Sequence, residues 1–299
     1  MVAIWILAVS ALVTTIATYL AVSVVFGSSS KQITITVDGE EQLLYVQPTS
    51  WSSDIEVEGS EVEMIYNRRA YISTVDKVDP DAYFTVDVLG GMLEFDLDLS
   101  SAGCNCVTAL YGVTMPSKNA DATDEQRYCD AQGVGGQYCP EFDFLEGNFY
   151  GIHTTAHSCE APDADGVYTD CNQPGECTVD PYYLESNDDY YGVGKTIDPT
   201  YPLTMRLEFT EDESTGEFSE YTTTLIQGAN EVALPSGTTC EGLPKMTDDM
   251  TKMVLVISNW GTSANWLQHG TCDSTIDCPT DDYAASISNI KITTKAGMP

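Results

Sequence analysis

The sequence predicts an all-β jelly-roll sandwich of two antiparallel sheets, preceded by an N-terminal membrane helix. Three observations predict it. Short runs rich in β-branched and aromatic residues recur along the chain, each bounded by Gly, Pro, Asp or Ser. Few stretches beyond residue 30 show a 3.6-residue apolar period. Residues 3–26 carry no charge at all.

That uncharged run is long enough as a helix to cross a hydrocarbon core of about 30 Å. No Lys or Arg precedes it, so it reads as an uncleaved anchor rather than a cleavable signal. A Ser-rich joint ends at Ser30, and residues 31–299 contain no second linker or repeat, which predicts one domain. Its predicted strands are residues 32–37, 42–46, 70–74, 84–89, 92–99, 108–115, 203–209, 219–227, 253–260 and 284–293, with a further strand-like run at 141–148. The stretch 159–189, rich in Asp, Tyr, Gly and Pro, reads as loop held by its cysteines.

Charge and cysteine content narrow the function. With 46 acidic and 12 basic residues the formal charge is −34, and the chain lacks the Lys and Arg clusters that neutralise a phosphate backbone. Nucleic acid is excluded on that ground, and sulfated or phosphorylated polymers are disfavoured; a neutral polysaccharide is compatible. Ten cysteines lie between Cys104 and Cys278, at spacings that match no compact zinc signature, so disulfides are expected and no metal or cofactor is. Disulfides place the body in the secretory lumen or outside the cell, on the membrane face or secreted.

The candidate site is Glu141-Phe142-Asp143-Phe144-Leu145-Glu146-Gly147-Asn148, with carboxylates at offsets 0, +2 and +5 in an apolar run. Side chains alternate along a strand, so Glu141 and Asp143 share a face, and Glu146 joins them only if a β-bulge inserts a residue after Asp143. In a straight strand the Cα atoms of Glu141 and Glu146 stand about 16 Å apart. Side chains leaning together would bring the carboxyls toward the roughly 5–5.5 Å of a retaining glycosidase pair. In so acidic a chain such a triple arises about once by chance. Glu56, Glu58 and Glu61 repeat the offsets without site-like surroundings.

The octapeptide matches the E-x-D-x-W-E-x-N signature of glycoside hydrolase family 7 in all but the Trp, which is Leu145 here. Other segments resemble that family in the same order: Cys104 to Tyr111 its C-x4-A-L-Y strand, Tyr128-Cys129-Asp130-Ala131-Gln132 its Y-C-D-x-Q, and His157-Ser158-Cys159 its H-P-C. Cys177 to Tyr182, Tyr190 to Gly194, Met253 to Trp260, His269 to Cys272 and Ile287 to Lys291 resemble later elements. The resemblance implies a concanavalin-like jelly roll and a retaining hydrolase of β-1,4-glucan with a monomeric catalytic domain. It implies Glu141 as nucleophile, Glu146 as acid and then base, and Asp143 hydrogen-bonded to Glu141. Tyr111 would orient Glu141. Tyr128, Gln132, Asn148 and His157 would line the cleft, and Trp260 and Trp266 would be sugar platforms, since indole faces stack on sugar C–H faces. His153 is expected to be structural or exposed.

The family's disulfide pattern, carried over, pairs Cys104 with Cys272, Cys129 with Cys139, Cys159 with Cys171 and Cys177 with Cys240, which leaves Cys106 for Cys278. Departures lie in the loops: Cys129 and Cys139 are only ten residues apart, and Gly261, Tyr183 and His269 stand where the family carries Asp, Arg and Arg. Shortened loops predict an open groove and endo action. A glycan-binding coat protein without turnover, and a hydrolase of mixed-linkage or β-1,3-glucan, are the alternative readings.

Overall fold

The computed structural model describes residues 31–49, 52, 55–65, 67–121, 124–180, 190–236, 240–261, 264–267, 272, 278 and 283–298. Among them sixteen strands occur in chain order: β1 (Gln32–Val37), β2 (Glu40–Pro48), β3 (Ile55–Glu58), β4 (Glu61–Ile65), β5 (Arg68–Ser73), β6 (Thr85–Val86), β7 (Met92–Asp98) and β8 (Val107–Val113). Then come β9 (Glu141–Asn148), β10 (Gly151–His157), β11 (Glu176–Val179), β12 (Leu203–Glu211), β13 (Phe218–Gln227), β14 (Asn230–Pro235), β15 (Met253–Trp260) and β16 (Ala284–Thr293).

The chain is an all-β sandwich. One layer runs β11-β10-β9-β8-β15-β5, the other β16-β7-β12-β13-β14, and the β1–β2 hairpin turns the corner between them. The layers meet face to face: the Phe142 ring of β9 lies 5.5 Å from Phe209 of β12 and 5.0 Å from Tyr221 of β13, both edge-on. Two details differ from two separate antiparallel sheets. Hydrogen bonding is continuous from one layer to the other, and β1 pairs with β16 in parallel, Thr36 opposite Lys291 and Val37 opposite Ile292. Bending one sheet around a corner satisfies backbone groups that two separate sheets would expose along their edges.

The layers differ in how they meet water. β7 alternates buried and half-buried residues, and β14 alternates buried and exposed, the pattern of a sheet with one wet face. β8 and β10 are buried at every residue and β9 at all but Glu146. Their inner side chains join the main core, while Val107, Ala109, Tyr111 and Val113 of β8 form a second cluster with Tyr71, Tyr83, Tyr128 and Leu267. That second cluster is the floor on which the cleft is built.

Predicted strand 84–89 shrinks to β6 because the Asp87 side chain accepts the Leu89 N–H at 3.2 Å and the Gly91 N–H donates to Val88 O, turning the chain. The decoy triple falls on the β3–β4 hairpin, where Glu58 pairs with Glu61 and all three carboxylates are exposed. The structure joins Cys104 to Cys272, Cys106 to Cys278, Cys129 to Cys139, Cys159 to Cys171 and Cys177 to Cys240. No helix among the described residues is long and apolar enough to cross a membrane, and the apolar run 3–26 lies outside them.

Candidate active site

The acidic triple is brought to one face by a bulge. Across β8–β9, Leu110 pairs with Leu145 but Tyr111 with Asp143; across β9–β10, His153 pairs with Glu146 but Thr155 with Asp143. Both neighbours therefore register one extra residue in β9 between Asp143 and Glu146. Phe144 and Leu145 both point inward, fully buried in the main core with Phe142. Two successive inward side chains reverse the parity, and Glu146 emerges beside Glu141 and Asp143.

Cross-strand pairing then fixes the surroundings. Glu146 lies between Ala109 and His153, with Ser258 and Arg69 beyond Ala109; Asp143 lies between Tyr111 and Thr155; Glu141 lies between Val113 and His157. Glu141, Asp143 and Glu146 all line a cleft of about 730 Å³. Tyr111, Tyr128, Gln132, His157, Trp260 and Trp266 line it too, with Trp260 and Trp266 39% and 38% exposed.

Each carboxylate has a different environment. Glu141 Oε2 accepts the Ala131 N–H at 3.0 Å, and Ala131 belongs to the ten-residue loop closed by Cys129–Cys139. Asp143 Oδ2 lies 2.9 Å from His157 Nε2, while His157 Nδ1 is 2.9 Å from Asn172 O, which fixes the imidazole at both nitrogens. Glu146 makes no hydrogen bond among the described residues and is partly open to the cleft. Burial pushes all three carboxyls well above the usual carboxylate range. Asp143 and Asp130 push Glu141 further up, against the pull of His157 and the Ala131 N–H; Asp143 pushes Glu146 up, against His157. Three such groups side by side cannot all ionise cheaply, and the one with no donor to stabilise its charge, Glu146, is where a proton sits best.

Several expected contacts are made differently. The implied hydrogen bond between Asp143 and Glu141 is replaced by Asp143–His157 and Ala131–Glu141. Tyr111 faces Asp143 in register, and its hydroxyl lies 3.0 Å from that of Tyr128 rather than bonding Glu141. Asn148 does not line the cleft: fully buried, its Nδ2 donates to Cys106 O at 3.0 Å and its Oδ1 accepts the Tyr150 and Gly151 N–H groups, so it shapes the β9–β10 turn. Gln132 reaches over the cleft edge to donate to Gln173 O at 2.8 Å.

Among the cleft residues not singled out as site residues are Arg69, Asp130 and His153. Arg69 stacks its guanidinium 3.6 Å over the Tyr128 ring, and Asp130 lines the cleft beside Glu141. His153, expected to be structural or exposed, is buried, lines the cleft and lies 2.9 Å from Asp180. Its signal was parity, because His153 and His157 are four residues apart on one strand. Among the departures, Tyr183 and His269 lie outside the described residues. Gly261 has a steric reason: a Cβ there would stand 1.9 Å from Asn105 O. Gly261→Asp is accordingly expected to lower stability by about 2 kcal/mol in urea unfolding, the cost of overpacking, rather than restore a binding group.

Comparison with known proteins points to one family. The model of glycosyl hydrolase family 7 matches residues 117–274. Endoglucanase EG-1 of Hypocrea jecorina is 29% identical over 248 residues, covering 69% of this chain and 52% of that protein. The probable endo-β-1,4-glucanase celB of Aspergillus fumigatus is 28% identical over 255 residues, covering 69% and 61%. The chain thus spans about half the length of the EG-1 relative it matches. Among solved structures, an endoglucanase I complexed with cellobiose superposes with a TM-score of 0.73 at 18% identity, covering 89% of this chain and 96% of that one. A family 7 cellobiohydrolase from Daphnia pulex gives 0.67 at 17%, covering 88% and 96%. The family model spans more than half of the chain and contains the bulged strand with its three carboxylates, and on that match the chain belongs to glycosyl hydrolase family 7.

Proposed function

We propose that the protein hydrolyses a neutral β-1,4-glucan within the chain, with retention of configuration at the anomeric carbon. The observation that carries this reading is the bulge of β9, which sets a hydrogen-bonded Glu141 and an unbonded, protonatable Glu146 on one wall of a cleft. In the first step Glu141 attacks the anomeric carbon while Glu146 gives its proton to the departing glycosidic oxygen, leaving a glycosyl ester on Glu141. In the second step the Glu146 carboxylate takes a proton from water, and the water oxygen displaces Glu141 from the anomeric carbon. Proton and charge return to their starting places.

The surrounding groups divide the work. The Ala131 N–H favours the ionised form of Glu141, which an attacking group needs, and the Cys129–Cys139 loop holds that donor in place. Asp143 stands between the two glutamates beside the doubly held His157, and it adds to the burial that raises the Glu146 carboxyl, favouring the proton there. Trp260 and Trp266, exposed on the cleft wall, offer the flat apolar faces that sugar rings stack on. Endo action is supported by the ten-residue Cys129–Cys139 loop, too short to roof a tunnel. Secretion and a monomeric catalytic domain belong to the same reading.

The test is hydrolysis of soluble β-1,4, mixed-linkage and β-1,3 glucans by the protein made under oxidising conditions, followed by reducing ends and viscosity. Viscosity falling ahead of reducing ends on β-1,4-glucan is expected. Reducing ends released first would refute endo action, and no release from any of the three would leave a glycan-binding protein.

A further inference from the structure

The cleft contains a second histidine that the reaction just described does not use. His153 stands directly opposite Glu146 in the β9–β10 pairing. Its Nε2 lies 2.9 Å from Asp180 Oδ2, with side-chain exposures of only 10% and 6% for the two residues. Asp180 follows directly on Val179, which pairs with Thr154 in antiparallel register, so the end of β11 delivers the carboxylate opposite His153. A buried carboxylate at ion-pair distance from one ring nitrogen restricts where the imidazole can sit.

That ring meets Trp266. The centroids are 5.3 Å apart with the planes tilted by 48°, a favourable aromatic geometry. Trp266 sits on a short turn, Asn265–Leu267, pinned by the Leu267 N–H to Ala264 O and by burial of Ala264 and Leu267 in the second cluster. The indole itself is 38% exposed toward the cleft. A proton donor must lie beside the leaving oxygen, so the sugar that carries this oxygen falls on the Glu146 side, where His153 and Trp266 are.

We propose that His153, clamped by Asp180, is a positioning residue that holds the Trp266 indole as the platform for the departing sugar. It thereby sets how tightly a long glucan is gripped on the leaving-group side of Glu146. The inference rests on the glucanase reading above, and it assigns to the pair a share of chain binding rather than of bond cleavage.

Kinetics on two substrates test it. Cellohexaose needs the leaving-group side; β-cellobiosyl fluoride carries only fluoride there, which requires neither platform nor proton. In the full chain, His153→Ala is expected to raise KM for cellohexaose about tenfold, the effect of losing one aromatic contact, with kcat/KM for the fluoride within about twofold of wild type. Asp180→Asn should move KM in the same direction, and the double variant should be no worse than His153→Ala, since both act through one ring. Equal losses on both substrates, or an unchanged cellohexaose KM, overturn the proposal. A binding arm separates it from the hydrolysis reading: cellohexaose is titrated by tryptophan fluorescence into Glu141→Gln and into Glu141→Gln with His153→Ala. About tenfold weaker binding in the second supports the clamp even if wild type hydrolyses nothing; equal binding, or none in either, overturns it.

Discussion

Glu141→Ala is expected to lower kcat on soluble β-1,4-glucan by about 10⁴-fold or more, the scale seen when a covalent nucleophile is removed. The reason is geometric as well as chemical. Glu141 is held through Oε2 by the Ala131 N–H, and the neighbouring acids, Asp143 beside His157 and Glu146 unbonded, are differently placed, so neither can take over the attack. The loss should be specific in kind. With β-cellobiosyl fluoride as donor, azide should restore turnover in Glu141→Ala by entering the space the carboxylate vacated, forming a carbon–nitrogen bond as fluoride leaves, and the product should be the α-glycosyl azide. An α-azide identifies Glu141 as the nucleophile by stereochemistry. A Glu141→Ala protein that keeps wild-type rates, or yields no azide adduct, excludes that role.

Glu146→Gln should have two effects of opposite sign. Turnover of glucans, whose leaving group needs a proton, should fall by about 10²–10⁴-fold, while hydrolysis of the glycosyl fluoride is affected far less in its first step. Stability should rise. Burial holds the Glu146 carboxyl well above its unfolded value, with Asp143 adding to the rise. A group whose folded pKa is raised supports folding fully below the ordinary carboxylate range, and that support is lost as pH rises through the folded value. At pH 7 the ionised form is the destabilised one, and glutamine removes the charge without changing the shape. About 1 kcal/mol, or roughly 2–4 °C in Tm, is expected at pH 7, shrinking toward pH 4. A Tm gain that is equal at both pH values would mean that charge burial is not its cause.

Much of the fold was legible because burial writes itself as alternation. β7, β12 and β16 bury every second residue over most of their length, and the sequence shows it. β10 was missed because Gly151-Ile-His-Thr-Thr-Ala-His is polar at four positions yet buried throughout; His153, Thr155 and His157 face a cleft rather than water, and Thr154 faces the interior, where its hydroxyl accepts from Thr223. β3, β4, β11 and β14 are short strands that pair at or near sheet edges, where few apolar residues are required. The acidic triple could be read because parity forces a bulge once three carboxylates are to share a face. Asp180 and Arg69 could not, since their roles depend on which strands lie beside β10 and β15, and pairing between distant segments leaves no local trace. Asn148 shows the opposite failure: a position that matches the family signature by spacing has its side chain engaged by backbone groups of the turn.

The bulge at Phe144 and Leu145 also bears on how such a site can change over generations. A point substitution within Glu141–Asn148 alters one side chain and leaves the others facing as before, so the loss of an indole to Leu145 can be absorbed by the core. A single-residue deletion between Asp143 and Glu146 would instead abolish the bulge and draw Glu146 toward Asp143 along the same wall, and a single insertion would push it further away, so either change alters its separation from Glu141. The eight-residue strand is therefore open to variation in letter and closed to variation in length, the reverse of the loops around it.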